Sequence, residues 1–138
     1  MKNANSSEFD KDTYYPVIDI MLDQKDVTHN GSSMRLGTYP CKLNKKTKAF
    51  QSYEKEQINE RHRHRYEFNN KYMDEMLNEG LIISGTNEKL NLVEIIEIED
   101  HPWFVGVQFH PELKSRVMRT HPLFDHFIKS AIKYCNAI

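Results

Sequence analysis

Val105-Gly106-Val107-Gln108-Phe109-His110-Pro111-Glu112 is the stretch whose reading decides the rest. From Trp103 to Phe109 the chain is apolar apart from Gln108, rich in β-branched and aromatic residues, and interrupted only by Gly106. That composition predicts a strand packed on both faces. Pro111 has no N–H to give to a ladder, so pairing should stop there. It also pushes His110 into an extended conformation. Residues i and i+2 of an extended chain point to the same side, so His110 and Glu112 are expected to face one another just past the strand end. In an α/β sheet that rim is where chemistry sits. A carboxylate beside an imidazole fixes its tautomer and stabilises the imidazolium, as in hydrolytic triads. The other reading is a polar turn that closes a strand, because a nucleophile is missing.

Composition narrows the classes. The chain has 138 residues, Lys plus Arg 19, Asp plus Glu 20 and a formal net charge of −1. Nothing in that balance draws the chain toward nucleic acid or an anionic membrane. Hydrophobic residues are 38% and mean hydropathy is −0.73, lean for a globular domain. Such a chain has a thin core or packs on something absent. Cys41 and Cys135 form no CxxC pair, so no disulfide framework is expected and a reduced, cytoplasmic setting follows. The N-terminus has no apolar signal region, and no run approaches membrane-spanning length.

Outward from the opening stretch, Met1 to Thr13 reads as a mobile polar lead-in, with residues 14–138 as the remaining unit. Pro16 to Leu22 suggests a short helix with Pro16 in its first turn. Asp23 to Ser33 reads as a polar loop. Met34 to Leu43 alternates as a strand kinked at Gly37, with edge character at Pro40. Asn44 to Lys48 is a basic turn. Tyr53 to Arg61 suggests a short exposed helix. Lys71 to Glu79 places Tyr72, Met73, Met76 and Leu77 at helical spacing, ended by Gly80. Leu81–Gly85 and Leu92–Ile98 read as strands joined by a turn at 87–91. After a basic loop from Lys114 to Arg119, His121 to Tyr134 is expected to be a closing helix. Its apolar stripe is Leu123, Phe124, Phe127, Ile128, Ala131, Ile132 and Cys135. The whole resembles half of an open α/β sheet.

Arg61-His62-Arg63-His64-Arg65-Tyr66-Glu67 is the second unusual stretch. Extended, it puts Arg61, Arg63 and Arg65 on one side and His62 and His64 on the other. Three readings are open. An arginine of the row binds a carboxylate or phosphate. His62 and His64 are a metal-ligand pair, with Glu67 roughly placed as a further ligand. Or the row is a solvated basic edge that resists aggregation.

The motif Gly106 to Glu112 resembles the closing motif of class I, triad-type, glutamine amidotransferases. Glu8-Phe9-Asp10, Pro16-Val17-Ile18-Asp19, Met34-Arg35-Leu36-Gly37, the 61–67 row, His101-Pro102-Trp103-Phe104 and His121-Pro122-Leu123-Phe124 are more selective. In that order they are similar to the CTP synthase family, over about Asn3 to Tyr134. The resemblance implies the partial open sheet of the amidotransferase (flavodoxin-like) type with a closing C-terminal helix. It implies a Cys-His-Glu triad that hydrolyses glutamine, with His110 as general base, Glu112 orienting it, and Arg65 holding the α-carboxylate of glutamine. The family makes CTP from UTP, ATP and glutamine, with ATP and magnesium in a separate synthase domain, so no cofactor is expected on this chain. It implies glutamine as substrate, the nucleophile-bearing N-terminal half and synthase domain as partners, and homo-oligomers formed through that absent domain. The family's nucleophile stands on a glycine-rich elbow before the segment matched by Glu8; Cys41 and Cys135 have no such surroundings and read as structural thiols. The chain alone is therefore expected to be inactive. The alternative is a non-catalytic module that docks on a full-length enzyme.

Overall fold

The computed structural model describes residues 1–20 and 34–137. It is a mixed α/β architecture in which a curled open sheet is closed by a C-terminal helix. Strands β1 (Ala4–Ser6), β2 (Tyr15–Ile20) and β5 (Tyr66–Phe68) form one sheet in the order β1-β2-β5. Strands β3 (Arg35–Leu43), β4 (Gln57–His64), β6 (Leu81–Asn87), β7 (Leu92–Ile98) and β8 (Val105–Val107) form the other, in the order β4-β3-β6-β7-β8. Among the described residues three α-helices complete it: α1 (Lys48–Tyr53), α2 (Met73–Asn78) and α3 (Pro122–Cys135). Pairing of β1 with β2 is parallel, whereas every pairing in the larger sheet is antiparallel.

The core lies where α1 and the start of α3 meet the larger sheet. Cys41, Leu43, Ala49, Ile58, Ile95, Phe109 and Leu123 are buried together, with Trp103, Val105 and Val107 packed against them. Glu97 is buried at the N-terminus of α1. Its carboxylate accepts from Lys48 N at 2.8 Å and Ala49 N at 2.7 Å, which satisfies two amides that a helix leaves unpaired. Pairing of β3 with β6 is confined to Lys42 and Leu43, so over the rest of its length β3 is paired with β4 alone. That leaves the β6 side of Pro40 unpaired, the edge character its sequence suggested. Gly37 takes φ 105° and Gly80 φ 91°, as a kink and a helix stop require.

Several elements differ from the sequence reading. The segment expected to be a helix from Pro16 is strand β2, since β-branched Val17, Ile18 and Ile20 suit the pleat and Ile18 pairs with Phe68. Residues 21 and 22 of that segment, and the loop expected at 23–33, lie outside the described residues. The helix expected over Tyr53 to Arg61 does not form; α1, capped by Thr47, ends at Tyr53 and is stopped by Glu54 at φ 53°. The good helix formers that follow enter β4, because Ile58, Glu60 and His62 alternate as its buried face. The lead-in is tied down: Ala4–Ser6 pairs with β2, and Ser7 Oγ donates to Asp19 at 2.6 Å. The strand read from Trp103 to Phe109 as packed on both faces is a half-buried edge over Val105–Val107. Past it the chain leaves β7 for β4, where His110 N bonds to Arg61 O at 2.8 Å. Of the α3 stripe only Leu123 is buried.

Gly85 is the tightest of the described glycines. A Cβ there would stand 2.7 Å from both Cys41 Sγ and Ile95 Cγ1. Gly85→Ala is expected to cost about 1–3 kcal/mol by overpacking, read as a lowered urea midpoint at unchanged slope.

Candidate active site

His110 and Glu112 meet as their spacing requires. Pro111 opens a short 3₁₀ turn, Pro111–Leu113, and His110 is extended at φ −108°, ψ 90°. The His110 Nδ1 to Glu112 Oε1 distance is 2.6 Å. Burial raises the Glu112 carboxyl, but the bond to His110, the local backbone and the charges of His110 and His121 outweigh it and hold it low. An ionised carboxylate on Nδ1 places the imidazole proton there and leaves Nε2 as the basic nitrogen. Both side chains are open to solvent, which suits a site that receives substrate.

Arg65 sits at the bend between β4 and β5, where the chain passes from the larger sheet to the smaller. Arg61, Arg63 and Arg65 are exposed, His62 is buried and His64 half-buried, so the two sides of the row are as the alternation gives. His62 Nδ1 lies 2.9 Å from His64 Nε2, and His64 Nδ1 lies 3.1 Å from Tyr66 O. Burial and Arg35 push His62 down to about 3 and His64 down to about 4, so both rings are neutral near neutral pH. Three of their four nitrogens are engaged with each other and with backbone, and the fourth, His62 Nε2, is buried without a hydrogen-bond partner. Among the described residues no group of three or more His, Cys, Asp or Glu side chains is arranged to hold a metal ion.

Behind this row lies a buried ion cluster that the sequence reading did not anticipate. Arg35, 5% exposed, donates from Nη1 to Glu67 at 3.1 and 3.2 Å and from Nη2 to Glu94 at 2.7 Å. Gln108 Nε2 adds a bond to Glu67 Oε2 at 3.0 Å. Burial pushes Glu67 up to about 7 against the pull of Arg35. Burial likewise raises Glu94, again opposed by Arg35. A second buried cluster braces the turn after His110. Tyr53 Oη donates to Glu60 Oε1 at 3.1 Å, and His121 Nε2 is 3.3 Å from the same oxygen. Lys114 also reaches Asn59 O from that turn. The available signal was a carboxylate inside a strand that is otherwise apolar but for Glu97, as at Glu94, or inside a buried alternation, as at Glu60.

Neither cysteine has a nucleophile's surroundings. Cys41 is 1% exposed, and burial with Glu94 and Glu60 pushes its thiol up to about 12. A reactive thiol needs the opposite, a lowered pKa or an adjacent base. Cys135 is exposed at the end of α3.

The comparisons fit this geometry. The family model for glutamine amidotransferase class-I matches residues 6–130. This chain belongs to the class-I glutamine amidotransferase family. Within that family its similarity is to CTP synthases. It is 60% identical to the CTP synthase of Clostridium kluyveri over 131 residues, 95% of this chain and 24% of that protein. It is 53% identical to the CTP synthase of Bacillus subtilis over 136 residues, 99% of this chain and 25% of that protein. A solved structure described as the Trypanosoma brucei CTPS glutaminase domain with bound acivicin superposes with TM-score 0.86 at 32% identity. The match covers 95% of this chain and 51% of that one. The chain thus spans about a quarter of the length of these curated relatives.

The depressed histidines give a pH prediction. Their folded pKa lies below the unfolded value of about 6.5, so as pH falls from there toward 4 the unfolded chain takes up protons that the folded chain refuses. Stability is therefore lost on acidification, with each histidine contributing a slope of about 1.4 kcal/mol per pH unit. Glu67, raised to about 7, acts in the opposite sense as pH climbs from 4.5 to 7. His64→Asn should flatten the acid side of the profile by about one proton, measured by urea unfolding between pH 4 and 6.5.

Proposed function

We propose that this chain supplies the general base, its orienting carboxylate and the substrate-carboxylate arginine for glutamine hydrolysis in a CTP synthase. His110 takes the proton of a cysteine thiol through Nε2. Glu112, on Nδ1, holds the tautomer and stabilises the imidazolium that forms. Arg65 pairs with the α-carboxylate of glutamine, for which its planar fork is suited. The thiol attacks the side-chain amide, His110 returns the proton to the leaving ammonia, and water later releases glutamate from the thioester. The ammonia passes to the synthase chemistry on UTP, driven by ATP with magnesium on another part of the enzyme. The observation that carries this reading is the 2.6 Å contact between His110 Nδ1 and Glu112 Oε1, which leaves Nε2 as the basic nitrogen.

The test is ammonia release from glutamine by the chain alone and mixed with the nucleophile-bearing N-terminal portion of a CTP synthase glutaminase domain. The chain alone should be silent and the mixture active. In the mixture, His110→Ala should lower kcat by about 10²–10⁴-fold. Arg65→Ala should act mainly on KM, by about 10–100-fold for a lost charged hydrogen bond. Ammonia from the chain alone, or a mixture indifferent to His110→Ala, would overturn the assignment.

A second reading, a non-catalytic module that docks on a full-length enzyme, is favoured by the face of α3. Phe127, Ile128 and Ile132 on that face are 48%, 53% and 56% exposed. Contiguous apolar surface of this kind marks an interaction site. Phe127→Asp with Ile132→Asp should abolish co-elution with the N-terminal portion while leaving the thermal midpoint within a few degrees. Retained co-elution would count against docking through α3.

A further inference from the structure

His62 and His64 are absorbed neither by the triad nor by a metal site, yet their hydrogen bonds have a direction. Tyr66 O is a carbonyl and only accepts, so His64 Nδ1 carries the proton of its neutral ring. His64 Nε2 is then an acceptor, and His62 Nδ1 must be the donor across their 2.9 Å contact. That leaves His62 Nε2 bare, in agreement with its burial without a hydrogen-bond partner. The Tyr66 carbonyl thus sets both tautomers, with Glu67 Oε1 3.5 Å from the same His64 nitrogen and Glu94 Oε2 3.7 Å from His62 Nε2.

That carbonyl lies one residue beyond Arg65. The bond from the His64 ring to Tyr66 O spans Arg65 and closes the bend at which the chain changes sheets. Arg65 is exposed and makes no hydrogen bond or ion pair with the described residues, so nothing on its own side chain holds it. The far end of the chain of rings is anchored. His62 packs edge-on against Tyr39 at 5.4 Å and Phe109 at 5.8 Å, and Phe109 directly precedes His110.

We propose that His64, backed by His62, is a positioning residue that holds the Arg65 bend in the conformation presenting its guanidinium to the substrate carboxylate, and that it couples this bend to the segment bearing His110. This rests on the assignment of Arg65 as the glutamine-carboxylate residue. The device is the N–H donor of a neutral ring. Asparagine places an N–H near the position of imidazole Nδ1, whereas glutamine places one near Nε2. The two substitutions separate the hydrogen bond from mere bulk.

The experiment uses the 138-residue chain in solution. Long-range ¹H–¹⁵N spectra of the imidazoles should show both His62 and His64 in the Nδ1–H form near neutral pH. Backbone ¹⁵N relaxation should show Arg65 ordered in the unsubstituted chain and in His64→Asn, but mobile in His64→Gln and His64→Ala. L-Glutamine titrations read from amide shifts should weaken about fivefold or more for His64→Ala and His64→Gln, the worth of about one neutral hydrogen bond, with His64→Asn close to the unsubstituted chain. An Nε2–H tautomer at His64 would overturn the proposal, as would an Arg65 equally ordered in His64→Ala, or His64→Asn no better than His64→Ala at equal folded content. If glutamine does not bind the unsubstituted chain, or binds Arg65→Ala as well, the carboxylate assignment fails instead. The tautomers and the order of Arg65 still decide whether His64 holds the bend.

Discussion

The buried guanidinium of Arg35 is the constraint on which the rest of the structure depends. A charge in a protein interior is tolerated only when it is paired and its hydrogen bonds are largely met. Arg35 meets that demand with two carboxylates drawn from different sheets, Glu67 of β5 and Glu94 of β7. Removing any one member strands a buried charge, so the sheets are held in one relative position by polar matching as well as by apolar burial. This is how a chain that is only 38% hydrophobic builds an interior. Part of its centre is ionic, and the apolar cluster is confined to the face under α1 and α3.

The cluster sits close to both halves of the candidate site. Glu67 is two residues beyond Arg65, and Gln108 is two residues before His110; the two are joined at 3.0 Å. A second tie, His110 N to Arg61 O, links the same two segments through backbone. The chain thus brings an exposed arginine and the His110 imidazole to strand ends that share one buried anchor. In an acyl-transfer site the spacing between substrate clamp and general base has to be rigid, because an error of about 1 Å costs about 10²-fold in rate.

How much of this the sequence disclosed follows the range of the forces involved. The His110–Glu112 contact was legible because it is local: Pro111 fixes the backbone and the period of two does the rest. The two sides of the 61–67 row were legible for the same reason. The ion cluster was not, since its bonds join residues 32 and 59 positions apart and no local pattern encodes them. Yet Arg35 and Glu67 stood inside motifs singled out for their resemblance, and Glu94 interrupted an apolar strand. Each was visible as an anomaly without a partner. The misread elements share a cause. Pro16 to Ile20 and Gln57 to Arg61 were weighed by intrinsic propensity, and tertiary pairing overrode it, through Phe68 for the first and Cys41 for the second.

The strand expected to be buried on both faces and the apolar stripe of the closing helix deviate in one direction: both are more exposed than their sequences imply. Apolar patterning records what a segment must bury in its working assembly. Solvent exposure records only what the described residues cover. For β8 and α3 the two quantities differ, whereas for β7 and α1 they agree. Their disagreement is confined to the sheet edge next to His110 and the helix that closes the fold. It does not touch Arg35, Glu67 and Glu94, whose charges are matched within the chain. The structure therefore separates a self-sufficient polar anchor, which sets the geometry of the site, from apolar surfaces that the described residues leave exposed. His110 and Glu112 meet, and Arg65 stands two residues from Glu67 of the anchor, without drawing on those apolar surfaces.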